Sequence, residues 1–240
     1  MRKGFGWTGS ECISRGRFLQ DQEDKECKMT ENIEVFVQNS IRILSDAGAV
    51  YIDPIKINGE PEDAAFVLIT HDHYDHFSPE DIAKVAGENT ILIVPEKMED
   101  KAAEVAGYVN KIVTVKPGII DVIDGLKLET VPAYNILKPF HRKDAGWVGY
   151  IITTGEERIY IAGDTDVTKE AKAVKCDVAL VPVGGTFTMD AKKAAELINE
   201  IKPAVAIPVH YGAFVGSPKD GEIFAANVKE PVQVELKMKF

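Results

Sequence analysis

The stretch Ala65-Phe66-Val67-Leu68-Ile69-Thr70 runs directly into His71-Asp72-His73-Tyr74-Asp75-His76, and the fold is read from that junction. The apolar run suits a fully buried strand, and three of the chain's five histidines follow it within six residues. Imidazole and carboxylate bind zinc and related divalent ions, and a rigid strand feeding a short loop can converge several of them. His71 and His73, two residues apart, can aim at one ion, while Asp75 and His76 can reach a second. A solvated polar loop is the competing reading, but histidine is scarce elsewhere and charged groups cluster this tightly mainly at sites.

Upstream, short β patterns over residues 33–37, 41–44 and 50–52 are separated by the turn-prone Asn39-Ser40 and Asp46-Ala47-Gly48, which predicts a meander. Downstream, Ser78-Pro79-Glu80-Asp81 opens a helix with a cap, a first-turn proline and an acidic residue three past the cap. A strand over 91–94, a helix over 99–106 and a strand over 112–115 follow. Two β segments lie within 119–131, and 147–152 and 158–162 flank a hairpin turn at Thr154-Gly155-Glu156. The strand over 178–183, a helix capped by Asp190 and stopped at Lys202-Pro203, and a strand over 204–208 complete the pattern. Two β-rich halves with helices after their strands predict an α/β (α+β) architecture, two sheets face to face with helices outside.

A chain of 240 residues, 45% hydrophobic and without a linker-like tract, reads as one domain over residues 30–240. Residues 1–29 are polar and aperiodic, and are expected to be an N-terminal extension or a mis-assigned start. The net charge of -10 disfavours a nucleic-acid partner and points to a small-molecule substrate. Cys12, Cys27 and Cys176 match neither a disulfide framework nor a zinc ribbon, which favours a reducing cytoplasm. No apolar run approaches the roughly 20 residues of a membrane span, so no membrane partner is expected; oligomeric state is not legible.

Two further candidate ligands stand at strand ends. Asp164, in Gly163-Asp164-Thr165, could bridge two ions, and His210, in Val209-His210-Tyr211, could complete the second. An Asx turn at Asp164 and a satisfied core histidine at 210 are the structural alternatives.

In their order, the histidine motif, Gly163-Asp164-Thr165 and Pro208-Val209-His210-Tyr211 resemble the metallo-β-lactamase superfamily. Ile52-Asp53-Pro54 and Gly184-Gly185-Thr186-Phe187-Thr188-Met189-Asp190-Ala191 narrow the likeness to metal-dependent hydrolases of the ascorbate-lactonase type. The resemblance covers about residue 33 to the C-terminus and implies a four-layer αββα sandwich with a dinuclear site, commonly zinc, with manganese or iron in some members. It implies His71 and His73 as first-metal ligands, Asp75, His76 and His210 as second-metal ligands, and Asp164 as the bridge. It also implies a further first-metal histidine two residues after Ala133, where this chain has Asn135. An amide oxygen is a weaker zinc ligand than imidazole. His141, six residues on, could replace the missing ligand, bind substrate or be solvated.

The activity so implied is hydrolysis of an ester, lactone, thioester or phosphodiester by hydroxide from a bridging water, whose pKa two metals lower from about 15.7 towards 7. Asp75 or Asp164 would accept or relay the proton, and Tyr211 or Tyr74 would donate to substrate. Lys138, His141, Arg142 and Lys143 form a basic patch that could receive a substrate anion or simply be solvated; Lys138 and Arg142 are its candidate substrate-binding residues. The alternative, motivated by Asn135, is a catalytically weak metal-binding sensor or interaction protein.

Overall fold

A computed structural model describes residues 29–240. The extension expected over residues 1–29 therefore lies outside the described residues, apart from Met29, which is buried in the core. β1 (Ile33–Val35), β2 (Ile41–Ser45), β3 (Gly48–Ile52), β4 (Ala64–Leu68), β5 (Ala86–Pro95) and β6 (Lys111–Val115) form a six-stranded sheet in sequence order. It begins as the expected antiparallel meander and becomes parallel from β3 to β6. β7 (Ile120–Ile123), β8 (Leu126–Pro132), β9 (Val148–Thr154), β10 (Glu157–Ile161), β11 (Val178–Pro182), β12 (Val205–Val209) and β13 (Gln233–Val234) form the second sheet. Its β7–β10 part is antiparallel and its β10–β13 part parallel.

Burial alternates within the first sheet. Ile43, Val50, Ile52, Phe66, Leu68, Ile91 and Ile93 pack in one core with Leu128, Tyr150, Ile152 and Ile161 of the second sheet. Tyr51, Val67, Leu92 and Val94 point the other way, under Ile82 and Val85 of α1 (Pro79–Val85) and Ala102 of α2 (Glu99–Ala102). β4 is therefore covered on both faces, which is why its sequence is an unbroken apolar run. On the far side of the second sheet, α3 (Lys169–Lys172) precedes α4 (Ala191–Ile201), whose Ala194, Leu197, Ile198 and Ile201 join the core; α5 (Asp220–Asn227) packs beside α4. The layers are helices, sheet, sheet, helices, as expected.

The differences from the sequence reading are local. The helix expected over 99–106 is α-helical only over Glu99–Ala102, with 3-10 turns at Glu96–Met98 and Ala103–Val105. Met98 offers no side-chain cap, and Gly107 follows closely, so the segment never gains a full set of i,i+4 bonds. α3, α5 and β13 were not expected; α3 is a single turn capped by Thr168, and β13 has two residues, both too short for periodicity to register. No helix among the described residues is long and apolar enough to cross a membrane.

Candidate metal centre

Six strand ends or turns deliver polar side chains to one edge of the sandwich: the β1–β2 turn (Gln38), and the chain following β3 (Asp53), β4 (His71 to His76), β8 (Asn135, His141), β10 (Asp164) and β12 (His210). The histidine loop is set by its ends. After β4, the His76 and Phe77 amides both donate to the His73 carbonyl, and Ser78 caps α1 by accepting from the Asp81 amide. Lys101 of α2 donates to the Asp72 carbonyl at 2.9 Å.

Two triads of donor atoms converge there. In the first, His71 Nε2 lies 3.2 Å from His73 Nδ1 and 3.3 Å from His141 Nε2. In the second, His210 Nε2 lies 3.1 Å from His76 Nε2 and 3.5 Å from Asp75 Oδ2. Asp164 stands between them. Its Oδ2 is 3.3 Å from His141 Nε2 and 3.9 Å from His71 Nε2, while its Oδ1 is 3.1 Å from His210 Nε2 and 3.4 Å from His76 Nε2.

These residues fit divalent ions on two counts. Ligands at about 2.0–2.2 Å around a tetrahedral ion lie roughly 3.3–3.6 Å from one another, close to the spacings found. Asp164 Oδ1, although buried and near two imidazoles, makes no hydrogen bond. A carboxylate oxygen buried beside two imidazoles without a hydrogen bond is aimed at a point it shares with them.

The electrostatics agree at four of these donors. Burial would raise the Asp164 carboxyl, but His210, His76, His141 and His71 outweigh it and hold it well below the usual range. Burial opposes the shift at Asp75 too, where a hydrogen bond with His210 and the charge of His76 bring the carboxyl to about 2. Both are anionic at neutral pH, as ligands must be. Burial, then His76, lowers His71 well below its ordinary value; burial, then His141, lowers His73. His76 goes the other way, to about 9, because Asp164 and Asp53 outweigh its burial, so a cation taken up there displaces a proton from its ring.

His141 is buried and sits in the first triad, carried there by Asn135. The Asn135 amide N–H donates to the Phe140 carbonyl (3.0 Å) and the Phe187 carbonyl (2.7 Å), and its backbone N–H to the His141 carbonyl (2.7 Å). Asn135 thus shapes the loop while His141 reaches the centre. Lys138 is committed to the Gly185 and Thr188 carbonyls and lies 3.6 Å from Asp166, so it ties two loops together. Arg142 is exposed and pairs with Asp144. Tyr211 is not brought to the cluster: its hydroxyl packs against Gly221 in the first turn of α5. Tyr74 is exposed on the rim, its ring 6.0 Å from that of Phe214.

Four participants carried no role in the sequence reading. Asp53, fully buried, accepts from His76 Nδ1 (2.7 Å), Thr70 Oγ1 (2.6 Å), the Thr70 amide (2.7 Å) and Asn39 Nδ2 (2.8 Å). Thr70 Oγ1 is also 3.0 Å from His71 Nδ1. Trp147 lies 5.0 Å, ring to ring, from each of His71, His73 and His141. Gln38 touches Asp75 and His210. The one signal for Asp53 was its place in Ile52-Asp53-Pro54; the others lacked any. Four of the eight non-glycine residues with positive φ among the described residues, Gln38 (59°), Asp53 (44°), His141 (56°) and His210 (58°), stand here. Such backbone strain concentrates at functional sites.

The αββα sandwich presents a histidine and aspartate cluster suited to divalent metal at one sheet edge, and comparison with known proteins narrows its class. The profile of the beta-lactamase superfamily domain matches residues 32–210. A UPF0173 metal-dependent hydrolase of Aeropyrum pernix is 36% identical over 199 residues, covering 74% of this chain and 79% of that protein. One of Methanopyrus kandleri is 32% identical over 207 residues, covering 77% and 86%. A crystal structure from Parabacteroides distasonis matches with a TM-score of 0.71 at 29% identity, covering 86% of this chain and 93% of that one. Igni18, a metallo hydrolase of Ignicoccus hospitalis, shares the fold, with a TM-score of 0.69 at 22% identity over 85% and 93%. The chain belongs to the metallo-β-lactamase superfamily, and it is a metal-dependent hydrolase with candidate divalent-metal ligands.

Proposed function

We propose that the protein hydrolyses a small ester, lactone or phosphodiester with two divalent ions, zinc foremost. His71, His73 and His141 hold the first, Asp75, His76 and His210 the second, and Asp164 joins them. The observation that carries this reading is Asp164 itself, with one carboxylate oxygen toward each triad. Divalent ions in such a site acidify a water for attack and polarise the scissile carbonyl or phosphoryl oxygen.

The chain's own contribution is to fix the donors and exclude water. Asp53 holds the His76 ring by accepting from Nδ1, leaving Nε2 to face the centre, and Thr70 does the same for His71. Trp147 closes the first triad on one side. The proposed substrate is a small molecule rather than nucleic acid or membrane, in keeping with the net charge of -10. The sensor alternative rested on a missing imidazole, and His141 beside His71 and His73 removes its motive.

The test is metal content per chain by inductively coupled plasma mass spectrometry on protein purified without chelator, followed by turnover of a lactone, an aryl ester and a bis-aryl phosphate. Two equivalents with turnover of one substrate class support the reading. One equivalent or none, with no turnover after metal is supplied, overturns it.

A further inference from the structure

Gln38 places a buried amide where neither the sequence motifs nor the roles above use it. The turn from β1 to β2 passes through Gln38 with φ of 59°, and its backbone carbonyl accepts from the His210 amide at 2.8 Å, which locks this turn to the end of β12. Its Nε2 is 2.9 Å from Asp75 Oδ2 and 3.0 Å from His210 Nε2, two of the three donors of the second triad. Its Oε1 is buried without any hydrogen-bond partner. One end of the amide is thus unpaired whichever way it faces, at about 1–3 kcal/mol, and the contacts at the other end decide its orientation.

A half-turn about the last side-chain bond exchanges the amide nitrogen and oxygen in place. Oxygen then stands about 3 Å from Asp75 Oδ2 and His210 Nε2, the separation of neighbouring ligands around one ion. With a cation held by those two residues, an NH2 group at this point would aim its hydrogens at positive charge, whereas the carbonyl oxygen aims a lone pair. We propose that Gln38 supplies Oε1 as a further ligand to the ion held by Asp75, His76 and His210. The inference rests on the two-metal reading above. It makes the two subsites chemically unequal: three imidazoles and one carboxylate oxygen in the first, two imidazoles and oxygens from Asp75, Asp164 and Gln38 in the second. Oxygen-rich sets of higher ligand number suit manganese or iron(II), and nitrogen-rich tetrahedral sets suit zinc. Without an ion, the amide N–H groups face Asp75 and His210, so loading of the second subsite includes the amide's rotation.

The test titrates metal-stripped full-length protein with cobalt(II) and with manganese(II), following cobalt d–d absorption and manganese electron paramagnetic resonance, for wild type, Gln38→Gly and Gln38→Glu. Glycine keeps the positive φ without steric cost. Gln38→Gly should bind the second equivalent roughly tenfold or more weakly with the first unchanged, and the cobalt band of that equivalent should intensify as its ligand number falls. Gln38→Glu, which can ligate but cannot donate, should bind it at least as tightly as wild type. If Gln38→Gly binds it equally or more tightly with an unchanged cobalt band, or Gln38→Glu binds it more weakly, the amide serves only as a donor and the inference falls while the two-metal reading stands. Should Gln38→Gly fail to fold, Gln38→Glu decides. A wild type that takes no second equivalent removes the two-metal reading itself and this inference with it.

Discussion

Replacing Asp53 by asparagine tests whether the second triad depends on a carboxylate that never touches the ion. Asp53 Oδ1 accepts from the Thr70 amide, and Oδ2 accepts from Asn39 Nδ2, Thr70 Oγ1 and His76 Nδ1, all within 2.6–2.8 Å. An asparagine NH2 must replace one of these oxygens. At the Oδ1 position it meets one N–H, and at the Oδ2 position it meets three donors, so it takes the first. That choice leaves a buried donor facing a donor, at about 1–3 kcal/mol, and turns three charge-assisted bonds into neutral ones of roughly half the strength. Asp53→Asn should therefore lose about 2–4 kcal/mol of stability in urea unfolding of the metal-free protein. It should also bind the second metal 10–100-fold more weakly, since His76 loses both its basicity and the partner that fixes its tautomer. Competition with a chromophoric chelator reads each equivalent separately. Wild-type affinity for both metals in a folded Asp53→Asn protein would refute the claim that this carboxylate tunes His76.

His141→Ala should reduce bound metal from about two per chain to about one by mass spectrometry, because it removes one of three imidazoles from the first triad only. Asn135→His should lower metal content rather than raise it: an imidazole there cannot donate to both the Phe140 and Phe187 carbonyls, and the loop that delivers His141 loosens. Gly184→Ala should cost about 1–3 kcal/mol and weaken the second metal, because an added Cβ would lie 2.3 Å from the His210 carbonyl oxygen. Asp81 accepts from the Lys56 and Ile57 amides, Ser78 and Lys84; burial opposes but these bonds prevail, and its carboxyl lies below the ordinary value. A depressed folded-state pKa contributes stability above the unfolded value near 3.9 that is lost as the pH falls through the folded one. Asp81→Asn should thus be less stable than wild type at pH 7, and the gap should narrow below about pH 4 in urea midpoints.

Local chemistry made most of the framework legible. An unbroken apolar β4 announced a strand covered on both faces, Ser78 and Pro79 announced α1, and the histidine run between them announced a metal site, because each depends only on neighbours in the chain. Asp164 and His210 were readable for a similar reason, as ligand-type residues directly after strands. The centre's completion was another matter. Whether residue 135 or 141 reaches the first triad depends on two carbonyls, at Phe140 and Phe187, that capture the Asn135 amide, and Phe187 is 52 residues away. Lys138 looked like a free cation and is bound to carbonyls of a distant loop, and Tyr211, adjacent to His210 in sequence, faces α5 instead. The sequence by itself determined the sandwich and the ligand-rich loop, since periodicity and capping are short-range. Only the tertiary structure decided that Gln38, Asp53 and His141 meet there, since a side chain's direction after a left-handed residue is set by what packs against it.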